Sequence, residues 1–187
     1  KKKPKHLSKK EKKCVLIAPS WGINGLLEVH GISLIKNLLK SGIRTIVRPH
    51  PMTLSNNPKL FETLKNNFSK NSNYSLDINM NSIDSLLMAD VMISDWSGAA
   101  LEFSFGLLKP VIFIDTAKKV NNPKYYELGI NPLEIIIRKK IGYLLPEKEM
   151  DRIGTFIFDI LKKTKILRKN ASSERDKWVY NLGKSGK

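Results

Sequence analysis

Cysteine is nearly absent. Cys14 is the single one among 187 residues, which rules out a disulfide within the chain and any cysteine-rich metal site. It opens an apolar run and reads as a buried strand residue. Histidine is scarce as well, with only His6, His30 and His50. No Cys/His cluster or D-x-D pair accompanies them, so neither a metal nor any other cofactor is expected. Both glycine-rich nucleotide loops are missing: GxGxxG and GxxxxGK[ST] do not occur, which leaves dinucleotide and P-loop NTPase readings without direct support. No apolar run approaches the roughly 18 residues that cross a bilayer, and no apolar signal segment follows the N-terminal lysines. The expectation is a cytoplasmic protein. At this length, with 41% hydrophobic residues, the chain buries roughly two-thirds of its unfolded surface, as one ordinary domain does.

Positive charge is what the sequence has in excess, at a formal +16. Its location matters more than its size. Residues 1–13 hold eight lysines against Glu11, and residues 162–187 hold nine basic residues against Glu174 and Asp176, so each end carries +7. Only +2 remains between Cys14 and Leu161. A near-neutral body with basic ends argues against a nucleic-acid groove. It favours tails that meet an anionic surface, where each basic residue contributes about 1 kcal/mol, or simply solvated ends, residues 1–13 serving as a linker. The expected organisation is a basic tail or linker over 1–13, one domain over 14–165, and a basic helix or tail over 166–187.

Within the body, strands and helices alternate. CVLIA (14–18) is a continuous apolar run ended by Pro19, as in a strand buried on both faces. Leu26, Leu27, Val29, Leu34, Ile35, Leu38 and Leu39 then recur near a 3.6-residue period up to Ser41-Gly42, a helix with a glycine stop. Ile43–Val47 reads as a second strand, and Arg48-Pro49-His50-Pro51 starts a loop. Further expected elements are a helix over 58–68, a weak strand over 74–76, a short helix from Ser82 to Asp90, a strand over 91–93, a helix from Ala99 closed by Gly106, and a strand over 111–114. EIII (134–137) and IGYLL (141–145) read as short strands or core-covering segments; 147–161 and 172–182 read as helices. Such alternation is the α/β pattern of a doubly wound, mostly parallel sheet.

In open parallel sheets ligands bind beyond the carboxyl ends of the strands. Three turns lie there: Pro19-Ser20-Trp21-Gly22, Arg48-Pro49-His50-Pro51 and Ser94-Asp95-Trp96-Ser97-Gly98. The third leads into a helix whose start, Ser97-Gly98-Ala99-Ala100, is all small. Free amides and about half a positive charge at a helix N-terminus favour phosphate, and the Ser94 and Ser97 hydroxyls add donors. Glu102, about one turn on, suits the paired hydroxyls of a ribose. His50, stiffened by two prolines and two residues from Arg48, can meet a phosphate as donor or proton carrier. The competing structural readings are a helix-capping Asp95 or Ser97, a surface Glu102 and a loop histidine. His30, inside the first helix, reads as structural.

VLIAPSWG, VRPHP, IDSLLMADVMISDWSGAALEF and KPVIFID together resemble the C-terminal domain of CDP-glycerol glycerophosphotransferases, over about Val15 to Asp115. The resemblance implies a Rossmann-like C-terminal half of a GT-B fold that holds the CDP part of the donor in teichoic-acid-type polymer synthesis. It implies a catalytic His50 in the HP motif, with Asp95, Ser97 and Gly98 in the family's D-Y-S-S loop and Glu102 on the ribose. Arg48, Ser94, Ala99, Ser20 and Trp21 complete the expected donor site, Asp95 being counted with His50 as catalytic. Trp96 and Gly98 stand where Tyr and Ser are usual, and Gly22 where a basic residue is common. A UDP- or CDP-sugar donor, in a glycosyltransferase or epimerase, therefore stays open, as does a non-catalytic membrane-docking module. The family also has an N-terminal acceptor domain, for which 187 residues leave no room, so a fragment or split subunit is expected. Its place is the bacterial cytoplasm or, peripherally, the inner face of the cell membrane.

Overall fold

The structure, a computed structural model, describes residues 12–118 and 124–184. Of the basic N-terminal segment only Lys12 and Lys13 fall inside that range. Six strands form one sheet: β1 (Cys14–Ile17), β2 (Arg44–Val47), β3 (Tyr74–Leu76), β4 (Val91–Ser94), β5 (Val111–Asp115) and β6 (Gly142–Pro146), in the spatial order β3-β2-β1-β4-β5-β6. Every pairing is parallel, with Ile17 opposite both Val47 and Ile93. This is the doubly wound order, whose direction of growth reverses between β1 and β4.

The continuous apolar strands are explained by burial on both faces. From β1, Val15 and Ile17 join one core with Leu27, Leu34, Leu38, Ile153 and Ile157. Cys14 and Leu16 join the other, with Met92, Phe103, Ile137 and Ile141. Helices α1 (Leu26–Lys40), α3 (Pro58–Phe68) and α7 (Ile153–Lys162) thus bury apolar residues in the first core, and α5 (Ala99–Leu107) and α6 (Leu133–Ile141) in the second. α1 stops where Gly42 takes a φ of +73°, a conformation that favours glycine. The remaining helices are α2 (Pro51–Asn56), α4 (Asp84–Met88) and α8 (Thr164–Trp178). α8 buries Leu167 and Ala171 and contacts α5, α6 and α7, so the C-terminal helix packs on the domain.

Several local expectations change. Beyond β2 the chain enters α2 instead of remaining a loop. Pro51 occupies the first helical turn, where its missing N–H costs nothing, and His50 caps the helix. Gly106 lies inside α5; the helix ends one residue beyond it, with Leu108 left-handed at φ 52° ahead of Lys109-Pro110. EIII is the first half of helix α6, since residues 137, 138 and 141 share its buried face, and IGYLL supplies edge strand β6. Residues 147–152 form a 3-10 turn before α7. The expected helix over 172–182 begins earlier, at Thr164, and ends at Trp178 because Val179 is extended.

Candidate functional site

The reversal of strand order puts the turn after β1 beside the turn after β4, and Asp95 ties the two together. Its carboxylate accepts from the backbone N–H of Ser20 at 2.6 Å, of Trp96 at 2.7 Å and of Leu26, the first residue of α1, at 3.1 Å. The residue is 1% exposed. Charge-assisted bonds of this kind are short and strong, so Asp95 is the hub that shapes the edge, with both oxygens committed. Ser94 works the same seam from below: its fully buried hydroxyl donates to the Ala18 carbonyl at 2.8 Å, where sequence reading expects a donor to phosphate.

Beyond Asp95 the chain rises into α5. The Ser97 hydroxyl accepts from Ala99 N–H at 3.3 Å, and Gly98 and Ala99 form the helix start. Gly98 has an ordinary φ of −60° and open space where a Cβ would sit. Neither strain nor packing of the fold demands glycine here. Glu102 lies exposed in the first turn of α5.

His50, half-buried, faces the turn after β1: its ring lies 6.1 Å from that of Trp21, tilted by 32°. Its Nδ1 accepts from Met52 N–H at 3.1 Å. A backbone N–H can only donate, so Nδ1 holds the lone pair and a neutral His50 carries its proton on Nε2. Arg48 goes elsewhere. Its guanidinium pairs with Asp77 at 2.9 Å and donates to Ser82 O, Ser85 Oγ and Met80 O at 2.8, 3.1 and 3.2 Å, holding the loop between β3 and α4. With those acceptors engaged, Arg48 stabilises the sheet edge beside His50, where sequence reading expects a phosphate contact. His30 pairs with Glu147 on the surface.

The edge thus brings Ser20, Trp21, His50, Asp95, Ser97 and Gly98 to the β1/β4 switch point. Sequence reasoning missed residues that support it. Glu28, in the first turn of α1, accepts from the Thr53 hydroxyl at 2.9 Å and links α1 to α2. Together with Trp21, Met52 and Asn56 it lines a cleft of about 390 Å³. The Trp96 indole N–H donates to the Thr116 carbonyl at 3.1 Å, and the Arg138 guanidinium carbon lies 3.8 Å from the ring centre. No local pattern marks Arg138, one of three consecutive basic residues between EIII and IGYLL.

The sequence profile of the CDP-glycerol:poly(glycerophosphate) glycerophosphotransferase family matches residues 4–120. The chain belongs to this family. The matched stretch holds all three turns of a glycerophosphotransferase-family edge, from Pro19 to Gly98. No curated protein matches the chain in sequence. Among solved structures, UDP-GlcNAc 2-epimerase from Neisseria meningitidis bound to UDP-GlcNAc is 14% identical with a TM-score of 0.54, over 88% of this chain and 42% of that one. The S. aureus MnaA-UDP co-structure is 15% identical with a TM-score of 0.50, over 91% of this chain and 45% of that one. The glycerophosphotransferase-family chain therefore spans less than half the length of either. Both likenesses concern the fold, a Rossmann-like α/β domain of the class expected for one half of a GT-B enzyme. Among the described residues, no helix is long and apolar enough to cross a membrane.

Proposed function

We propose that this chain is the donor-binding domain of a transferase that moves glycerol phosphate, or a similar polyol phosphate, from a CDP-linked donor to a cell-surface polymer. The observation that carries this is the β4–α5 turn at the switch point, in a chain of the glycerophosphotransferase family. A small-residue helix start, with a glycine its own fold does not require, leaves room for a diphosphate at the N-terminal end of α5. In this reading the Nε2 proton of His50 serves the phosphates, and Glu102 offers a carboxylate to the ribose. In the transfer, an acceptor hydroxyl attacks the phosphorus bearing glycerol, the bond to the CMP oxygen breaks, and the hydroxyl proton leaves to a base. Donors at the turn and on His50 stabilise the charge gathering on CMP. The acceptor enters through a second domain, and the site works in the cleft between the two.

A second reading, a nucleotide-sugar enzyme, is favoured by the likeness to two structures that hold UDP-GlcNAc and UDP. Thermal shift with CMP, CDP, CDP-glycerol, UDP, UDP-sugars, ATP and NAD separates the readings, because a ligand specific to the native state raises the melting temperature by mass action. The expected result is stabilisation by CDP, CMP and CDP-glycerol and none by ATP or NAD. Stabilisation by uridine nucleotides alone selects the sugar reading, and an equal response to every nucleotide points to the basic ends.

A further inference from the structure

Arg138 projects from α6 into the carboxyl edge of β5 and is 4% exposed. A buried guanidinium is costly unless its charge and donors are met. Here it donates to Asp115 Oδ1 at 3.2 Å and to the Ile114 carbonyl at 3.1 Å, and it stacks on Trp96 with Phe113 further off at 5.2 Å. The cluster is not closed by these contacts. Arg138 Nε and the Thr116 hydroxyl, one residue beyond Asp115, are both buried without a hydrogen-bond partner, and such groups require explanation. Burial lowers the pKa of the guanidinium from its ordinary value, against the raising influence of Asp115 and, at longer range, of Asp95.

Asp95 is the residue whose charge creates a problem. Its buried carboxylate precedes the α5 helix start by a few residues, where it repels any phosphate bound over Ser97 and Gly98. In a medium of low polarity that repulsion is poorly screened. Arg138 does not touch Asp95 and acts on its charge at longer range, but the indole on which it stacks at 3.8 Å belongs to Trp96, the next residue of the turn. Asp115, with a side chain 45% exposed, neutralises only part of that charge.

We propose that Arg138 is a positioning residue of the β4–α5 turn: it clamps Trp96 and offsets the negative charge of Asp95, so that the turn accepts a diphosphate. The inference rests on the diphosphate-donor reading above.

Calorimetry with cytidine, CMP and CDP on the wild type, Arg138→Met and Asp115→Asn tests it, with uridine, UMP and UDP used if the wild type prefers uridine. Arg138→Met lowers diphosphate affinity about tenfold or more and leaves nucleoside affinity within about twofold, because only the phosphates respond to the lost charge. Asp115→Asn acts in the opposite direction, raising diphosphate affinity about threefold by releasing the charge of Arg138, while its amide oxygen still accepts from the guanidinium. An equal loss for nucleoside and diphosphate in Arg138→Met marks a merely structural role and overturns the proposal. So does an unchanged or weakened diphosphate affinity in Asp115→Asn, the variant that decides if Arg138→Met does not fold. A wild type that binds neither diphosphate overturns the donor reading itself, whereas a wild type that binds with insensitive variants overturns this inference alone.

Discussion

The proposed donor reading assigns His50 to the phosphates and Glu102 to the ribose, and their substitutions should separate. The Nδ1 of His50 is held by Met52 N–H, so its proton is on Nε2 when the ring is neutral. In the catalytically complete protein His50→Ala is expected to lower turnover about 10²-fold or more with little change in nucleotide affinity, the scale of a lost acid-base or charge-stabilising group. Glu102→Ala is expected to do the reverse, weakening donor binding about 10- to 100-fold, with a smaller loss for a 2′-deoxy nucleotide. Calorimetry with CDP and 2′-deoxy-CDP measures both, and Glu102→Ala binding the two as the wild type does would leave Glu102 a surface acid. The sequence pointed at Asp95 and Ser97-Gly98 because a polar turn of small residues between a buried strand and a helix, with Glu102 one turn further on, suits a phosphate. It could not show that Asp95 bonds to Ser20 and Leu26, some 70 positions away, or that Arg48 turns toward Asp77. Side-chain direction at a sheet edge depends on which neighbour the sheet order supplies.

At the scale of elements, two glycines make opposite predictions. Gly142 begins β6 against β5, where a Cβ would lie 2.3 Å from the Val111 carbonyl oxygen and 2.8 Å from the Phe113 ring. Gly142→Ala must push edge strand β6 off its neighbour and is expected to cost about 1 to 3 kcal/mol. Gly106 sits inside α5 with open space around it, so Gly106→Ala should stabilise by about 0.5 to 1 kcal/mol through helix propensity and lost chain entropy. Urea denaturation reads both, and a neutral Gly142→Ala would show that β6 is not held as described. Most of the element pattern was legible because a strand buried on both faces and an amphipathic helix leave different periods. The α6 segment was not, because three consecutive isoleucines satisfy a strand and a buried helix face equally well, and only the path from β5 to β6 requires a crossover helix there.

For the whole molecule, charge sits at the ends of the sequence and the candidate site at one sheet edge, so the two should be separable. Removing residues 1–11 and replacing the exposed Lys165, Arg168 and Lys169 of α8 by Gln is expected to weaken binding to anionic vesicles by about 1 kcal/mol per charge near the surface. Nucleotide affinity should stay unchanged. Vesicle flotation and calorimetry measure the two, and undiminished vesicle binding would remove the membrane-tail reading. Truncation within α8 is a poorer test, since Leu167 and Ala171 are buried. By itself the sequence determined the class of fold, the three turns after β1, β2 and β4 and the family resemblance that the profile match bears out, because each is written in local runs, periods and short motifs. Tertiary structure alone decided that β1 and β4 are neighbours, that Asp95 joins their turns, and that Arg138 reaches Trp96 from a helix some 40 residues further on. Those contacts depend on strand order and on the burial of charge, which no local pattern of residues encodes.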